Sequence, residues 1–267
     1  MNKRGYITIA VIVLVAAAAV AYFGFLRPSA GDKSTSSPNG KVVVALDAGH
    51  GGTDPGATSG DFNEKVVNIA VMKKVVALLA SDPQIRTITT RSVDVLIPLE
   101  ERIRIAVDGG ASVYISIHVN SFTQSDVAGI ETWVDTTRKP ADPTWTLAAM
   151  MQDAMSSATG ARNRGIRTQE SYMQRTTMPA VMVEMGYITN PAERTLLFDP
   201  LYQDKLAAGI AAGIRQFVAW RAANPPATTA APAATPAKVT APSTTKTTTP
   251  ATSTTKTTTP TGAKPKP

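Results

Sequence analysis

Cysteine is absent from the 267-residue chain. That excludes a thiol nucleophile, a thiolate metal site, a disulfide framework and a lipid-modified N-terminal cysteine. Histidine is nearly absent too, with only His50 and His118. There is no HExxH pair and no GxSxG elbow, and the glycine-rich loop "GHGGTDPGATSG" has no lysine to serve a phosphate-cradling loop. A Ser-His-Asp site would have to spend one of the two histidines. An excess of positive charge is absent where a fold is expected. The whole chain carries +7, but Lys41 to Arg221 holds 18 Lys plus Arg against 19 Asp plus Glu, a net of −1. A nucleic-acid module would carry its basic stripe on the folded surface, so no nucleic-acid partner is expected.

The excess basic residues lie at the ends. Lys3 and Arg4 precede an uncharged stretch, Tyr6 to Leu26, which as a helix would reach about 31 Å, the thickness of a bilayer core. Residues 1–30 therefore read either as a retained membrane anchor or as a signal peptide cleaved near Ala19-Val20-Ala21. Both readings place the rest of the chain outside the cytoplasm, in the cell envelope. Residues 31–40, "GDKSTSSPNG", have linker composition. Residues 223–267 are rich in Ala, Pro, Thr and Lys and contain "STTKTTTP" twice, with almost nothing apolar to offset ordering entropy. That tail reads as a disordered spacer, or as a cationic tether to anionic wall polymers.

Between them, residues 41–222 alternate strand-like and helix-like segments. This predicts a single α/β domain with a mostly parallel central sheet flanked by helices. "KVVVALD", "QIRTITT", "SVYISIH", "GIETWV" and "AVMVEM" are the candidate strands. "IPLEERIRIAVDGG" predicts a helix with Leu99, Ile103, Ala106 and Val107 on one face, a Glu100–Arg104 pair and a stop at Gly109. "YQDKLAAGIAAGIRQFVAW" predicts another, whose Gly209 and Gly213 allow close approach to a neighbour.

Both histidines sit where an apolar run gives way to a loop, the end of a parallel sheet at which ligands gather. A hydrolytic zinc site needs about three protein ligands and an open position, so two imidazoles leave room for one carboxylate. Glu64, at the start of a helical pattern, is a candidate; its other reading is a capping acid paired with Asp61. Glu184 follows the apolar run Val181-Met182-Val183. An acid there is either a general base whose pKa burial raises, or a core acid paired with Arg162, Arg164 or Arg167.

Four blocks, "VALDAGHGGTDPGA" with "NEK" following, "TRSVDVLIPLEERIRIA", "SIHVNS", and "RGI" leading to "MPAVMVEMGYITNP", resemble in order and spacing the zinc-dependent N-acetylmuramoyl-L-alanine amidases of the type 3 family. The resemblance implies a peptidoglycan hydrolase that holds one zinc ion per chain through His50, Glu64 and His118, with the metal site at strand ends and Glu184 as the catalytic acid-base. Asn120, Arg164 and Asn190 are weaker candidates for substrate binding. Ala48, Asp108, Val119 and Tyr187 depart from the family's usual residues without removing a ligand. Some relatives carry an inhibitory helix after the second histidine; here only "FTQSDVA" separates Ser121 from Gly129, which implies an open site. The monomer is the expected state. A zinc peptidase cutting within the stem peptide and a non-catalytic wall-binding module are the competing readings.

Overall fold

Runs of β-branched residues become the central strands of the computed structural model, which describes residues 40–225. The expected anchor or signal segment, most of the linker and the tail from residue 226 lie outside the described residues. The strands are β1 (Val42–Ala48), β4 (Ile85–Thr89), β5 (Val113–Asn120), β6 (Ile130–Asp135), β7 (Asn163–Gln169) and β8 (Ala180–Tyr187), in the order β4-β1-β5-β8-β6-β7. All neighbouring pairs are parallel except β6 with β8, which is antiparallel. A small hairpin, β2 (Thr58–Ser59) with β3 (Phe62–Asn63), lies apart from this sheet.

The helices are α1 (Glu64–Leu79), α2 (Leu99–Asp108), α3 (Pro143–Thr159), α4 (Pro191–Leu197) and α5 (Pro200–Ala223). No helix among the described residues is long and apolar enough to cross a membrane. Three helices start in the same way: Asp142, Asn190 and Asp199 each accept a hydrogen bond from a first-turn amide, and each is followed by proline. The cap satisfies an otherwise orphaned donor, and proline at the first position has none to lose.

The two sheet faces are covered unequally. Val44, Leu46, Ile115, Ile117, Val181 and Val183 pack into one cluster with residues of α1, α3 and α5. On the opposite face a smaller cluster joins Val43, Ala45, Tyr114, Ala180 and Met182 to Ile103 and Ala106 of α2 and to Met173 of a 3-10 turn, Tyr172–Arg175. The second face is thus closed over β1 and β5 and left open farther across.

The α2 stripe differs from the expected one. Ile103 and Ala106 are buried, but Leu99 and Val107 are 55% and 54% exposed, and the inward place goes to Arg102 at 2%. Glu100 pairs with Arg175, while Arg104 pairs with Glu101 and Asp108. The reason lies below the helix. Asp47 is fully buried, and Arg102 Nη1 donates to its Oδ1 at 2.6 Å. Thr90, Ser116 and Tyr172 also donate to the Asp47 carboxylate. Burial alone would push the Asp47 carboxyl up, but the Arg102 guanidinium and the Thr90 and Ser116 hydroxyls hold it below the usual range.

Gly209 and Gly213 do serve a close approach, and the neighbour is α3. A Cβ at Gly209 would lie 2.7 Å from the Met155 Cα, and one at Gly213 would lie 2.6 Å from the Met151 Sδ. Gly209→Val is expected to lower stability by about 1–3 kcal/mol through overpacking against backbone, read as a drop in the denaturation midpoint. Asp47→Asn leaves Arg102 a buried unpaired charge and is expected to cost about 3–5 kcal/mol at neutral pH. Because the folded pKa of Asp47 is depressed, its contribution is present above about pH 4 and fades as pH falls through the folded value. The variant's stability should therefore vary less with pH than the wild type's in the acid range, as measured by urea unfolding from pH 7 to pH 3.

Candidate metal centre

β1 runs into a glycine-rich turn in which His50 takes φ 60°, a left-handed conformation uncommon for a residue with a side chain. Buried arginines hold the turn there. Arg102 Nη2 donates to the His50 carbonyl at 2.9 Å and Nη1 to the Ala48 carbonyl at 2.8 Å. Arg91 donates to the carbonyls of Ala48 and Gly49 at 2.8 and 3.0 Å. Two glycines make room for the histidine rings: a Cβ at Gly49 would overlap the His118 ring, and one at Gly56 would lie 2.6 Å from His50 Cδ2.

The hairpin β2–β3 returns the chain to Glu64, the first residue of α1. The N-cap is Asn63, which makes no side-chain cap bond, so the capping arrangement with Asp61 does not form. Glu64 instead turns into the protein and is 3% exposed. Its Oε1 lies 2.8 Å from His118 Nδ1 and accepts from the Val119 amide at 3.1 Å and Asn68 Nδ2 at 3.0 Å. Its Oε2 lies 3.2 Å from His50 Nε2 and accepts from the Ala57 amide at 2.8 Å. Burial would raise the Glu64 pKa, but the two histidines outweigh it and hold the carboxylate far below its usual range.

One ligand atom from each of His50, Glu64 and His118 lies within 4.8 Å of the others. Two imidazoles and one carboxylate are the donor set of a hydrolytic zinc site that keeps a position open. Nδ1 of His50, the nitrogen turned away from Glu64, lies 2.7 Å from Asp54 Oδ2. Such a carboxylate behind the imidazole fixes its tautomer and ring orientation and makes it a stronger ligand. Sequence reasoning passed over Asp54, although its place four residues after His50 in the loop was the available signal. The residues present fit a bound zinc ion.

Glu184 stands in direct register with His118 on β5 and with Glu131 on β6, so the three form one row across the sheet. It is buried, and its Oε2 has no hydrogen-bond partner. Burial first, then the Glu64 and Glu131 carboxylates, push its pKa well above the ordinary value. The arginines that sequence reasoning offered to Glu184 go to Glu131 instead: Arg164 Nε donates to it at 2.7 Å and Arg167 Nε lies 3.5 Å away. Arg162 forms no ion pair among the described residues. Glu131 was not foreseen, because alternation within "GIETWV" gives no sign of which face is buried.

Of the remaining candidates, Asn120 and Arg164 line the cleft beside Glu184. Asn120 Nδ2 donates to Glu131 at 3.3 Å, and the Arg164 guanidinium lies over the Tyr187 ring at 5.3 Å. Asn190 is used differently: its side chain caps α4 by accepting from the Ala192 and Glu193 amides, and it is not among the cleft residues.

Residues 44–216 match the family model described as N-acetylmuramoyl-L-alanine amidase. Among curated proteins, N-acetylmuramoyl-L-alanine amidase LytC of Bacillus subtilis (strain 168) is 34% identical over 169 residues, which are 63% of this chain and 34% of that protein. The chain thus spans about a third of the length of this relative. Among solved structures, the catalytic domain of CwlV, an N-acetylmuramoyl-L-alanine amidase from Bacillus (Paenibacillus) polymyxa var. colistinus, is 38% identical with TM-score 0.63. An N-acetylmuramoyl-L-alanine amidase from Clostridium difficile 630 is 33% identical with TM-score 0.65, and each match covers 67% of this chain and 98% of the other. With the fold, the histidine blocks and the family model in agreement, the chain belongs to the N-acetylmuramoyl-L-alanine amidase family.

Proposed function

We propose that the protein hydrolyses the amide between the lactyl group of N-acetylmuramic acid and the L-alanine of the peptidoglycan stem peptide, outside the cytoplasm, with one zinc ion per chain. The observation that carries this is the pairing of a two-histidine, one-carboxylate cluster with a buried carboxyl, Glu184, whose Oε2 is unpartnered beside it. Family membership supplies the bond and the substrate class. His50, Glu64 and His118 would hold the metal. A zinc ion bound there would supply Lewis acidity and lower the pKa of water toward about 7.

The chain's own residues do the rest. Asp54 orients the His50 ring. Glu64 stays ionised between the two imidazoles. Glu184 takes the proton of the attacking water at its free Oε2 and passes it to the departing alanine nitrogen; a raised pKa suits both transfers. Its ladder position beside His118 fixes where that exchange happens. No side chain serves as nucleophile, so no acyl-enzyme forms. The membrane, through the N-terminal segment if it is retained, and anionic wall polymers, through the lysine-bearing tail, are the further partners we assign.

Purified sacculi are the direct test. Digestion should release intact stem peptides with a free L-alanine amine, identified by mass, and should stop when a chelator strips the metal and resume with zinc. Release of peptide fragments cut between stem residues would overturn the amidase reading in favour of a peptidase. Glu184→Gln should keep stoichiometric metal and lose about 10²–10⁴-fold in turnover; near-normal turnover would remove its assigned role. His118→Ala should lose bound zinc in elemental analysis while still folding, because Glu64 keeps His50 and the Ala57 and Val119 amides as partners.

A further inference from the structure

The open part of the second sheet face contains a cleft of about 370 Å³ that begins at Glu184 and extends over β6 and β7. Trp133 and Arg167 of its lining stand in one register row. Met182 on β8 pairs with Trp133 on β6, and Trp133 pairs with Arg167 on β7. This is the row next to the one holding His118, Glu184 and Glu131. Gln169 and Phe122 complete the walls. On the other side of Glu184 the same face is already filled by α2, the 3-10 turn and the Asp47 network. A chain continuing from the nitrogen that Glu184 protonates therefore has room over β6 and β7.

The polar groups in this cleft are not equivalent. Arg164 is committed, donating to Glu131 and lying over Tyr187. Arg167 is different. Its side chain is 46% exposed, against 22% for Arg164, and its one ionic contact is the 3.5 Å approach of Nε to Glu131. Its two terminal nitrogens make no hydrogen bond among the described residues. Trp133, its ladder neighbour, has a buried indole N–H with no partner. A buried donor left unpaired is costly, and a planar guanidinium presents a fork that matches a carboxylate. Two unpartnered donors on ladder neighbours that both line a cleft leading away from the acid-base make a receptor for an anionic oxygen group.

The distance suits a short peptide. Strands lie about 4.8 Å apart, so β7 is about 10 Å from β8. An alanine residue extends about 3.5 Å, and the side chains of Glu184 and Arg167 span what remains. We infer that this cleft is the subsite for the departing stem peptide, and that Arg167, assisted by the Trp133 N–H, determines specificity by reading the carboxylate on the residue after L-alanine. The inference rests on the amidase reading above.

The test uses two synthetic muramoyl peptides that differ only in whether the residue after alanine carries a free carboxylate or a carboxamide. The zinc-loaded wild type should favour the carboxylate form. Arg167→Gln should raise KM for that form by about ten- to a hundredfold, the worth of a charge-assisted hydrogen bond. Its kcat on that form should stay within about twofold, and its kinetics on the carboxamide form should not change. Trp133→Phe, which keeps the ring and removes the donor, should move KM in the same direction by less. Melting temperature and zinc content should match the wild type in both variants. If Arg167→Gln shows the wild-type ratio between the two substrates, or loses kcat equally on both, the specificity role is wrong while the amidase reading stands. If the wild type cleaves neither substrate, the amidase reading fails and the subsite with it.

Discussion

The site depends on one carboxylate being held between two imidazoles. Glu64 lies near His118 through one oxygen and near His50 through the other, and backbone amides of Ala57 and Val119 also donate to it. Those four contacts tie the turn after β1, the loop before the hairpin and the start of α1 to the end of β5, which lies far along the chain. A buried ionised carboxylate is tolerated only with such compensation. The compensation is also what makes the cluster suit a divalent cation, because both imidazoles already face the acid. The glycines that crowd the site have a steric cause, since larger residues at Gly49 or Gly56 would occupy the space of the rings.

Beneath this cluster lies a second buried ionic group that orders it. Arg102 reaches from α2 through the sheet face to Asp47, and the same guanidinium holds the carbonyls of Ala48 and His50. Arg91 holds the carbonyls of Ala48 and Gly49 from the other flank. A left-handed residue costs about 1–3 kcal/mol and persists only where its surroundings over-determine it. At His50 the surroundings are these two arginines. A buried pair of this kind is weak as a source of net stability but strict about geometry, and geometry is what a metal ligand needs.

Much of this was legible in the sequence, for identifiable reasons. The histidines announced themselves because each ends a run of β-branched residues, and Glu184 did so for the same reason. The glycine pair of α5 was readable because its spacing matches a helical face. Other features were hidden by the chemistry of their partners. Arg102 occupies a position that an apolar stripe would claim, and its inward turn follows from Asp47, which a helix pattern does not reveal. Strand β7, "NRGIRTQ", is a polar edge strand with a single aliphatic residue, so nothing in its alternation marks it. Glu131 lies within a strand whose two faces look alike in sequence, and its burial depends on Arg164 arriving from that unmarked neighbour.

The row from Asp47 through Ser116, Met182 and Trp133 to Arg167 crosses five strands by continuous pairing. Such a ladder works as a ruler whose graduations are strands, since backbone hydrogen bonds fix each step and no loop movement can stretch it. Lateral distance on this surface therefore changes only by whole strands, whereas the chemical character at each mark changes with a single codon. Divergence in what such enzymes accept would then proceed by exchanging side chains along the ladder, with the scale itself inherited unaltered.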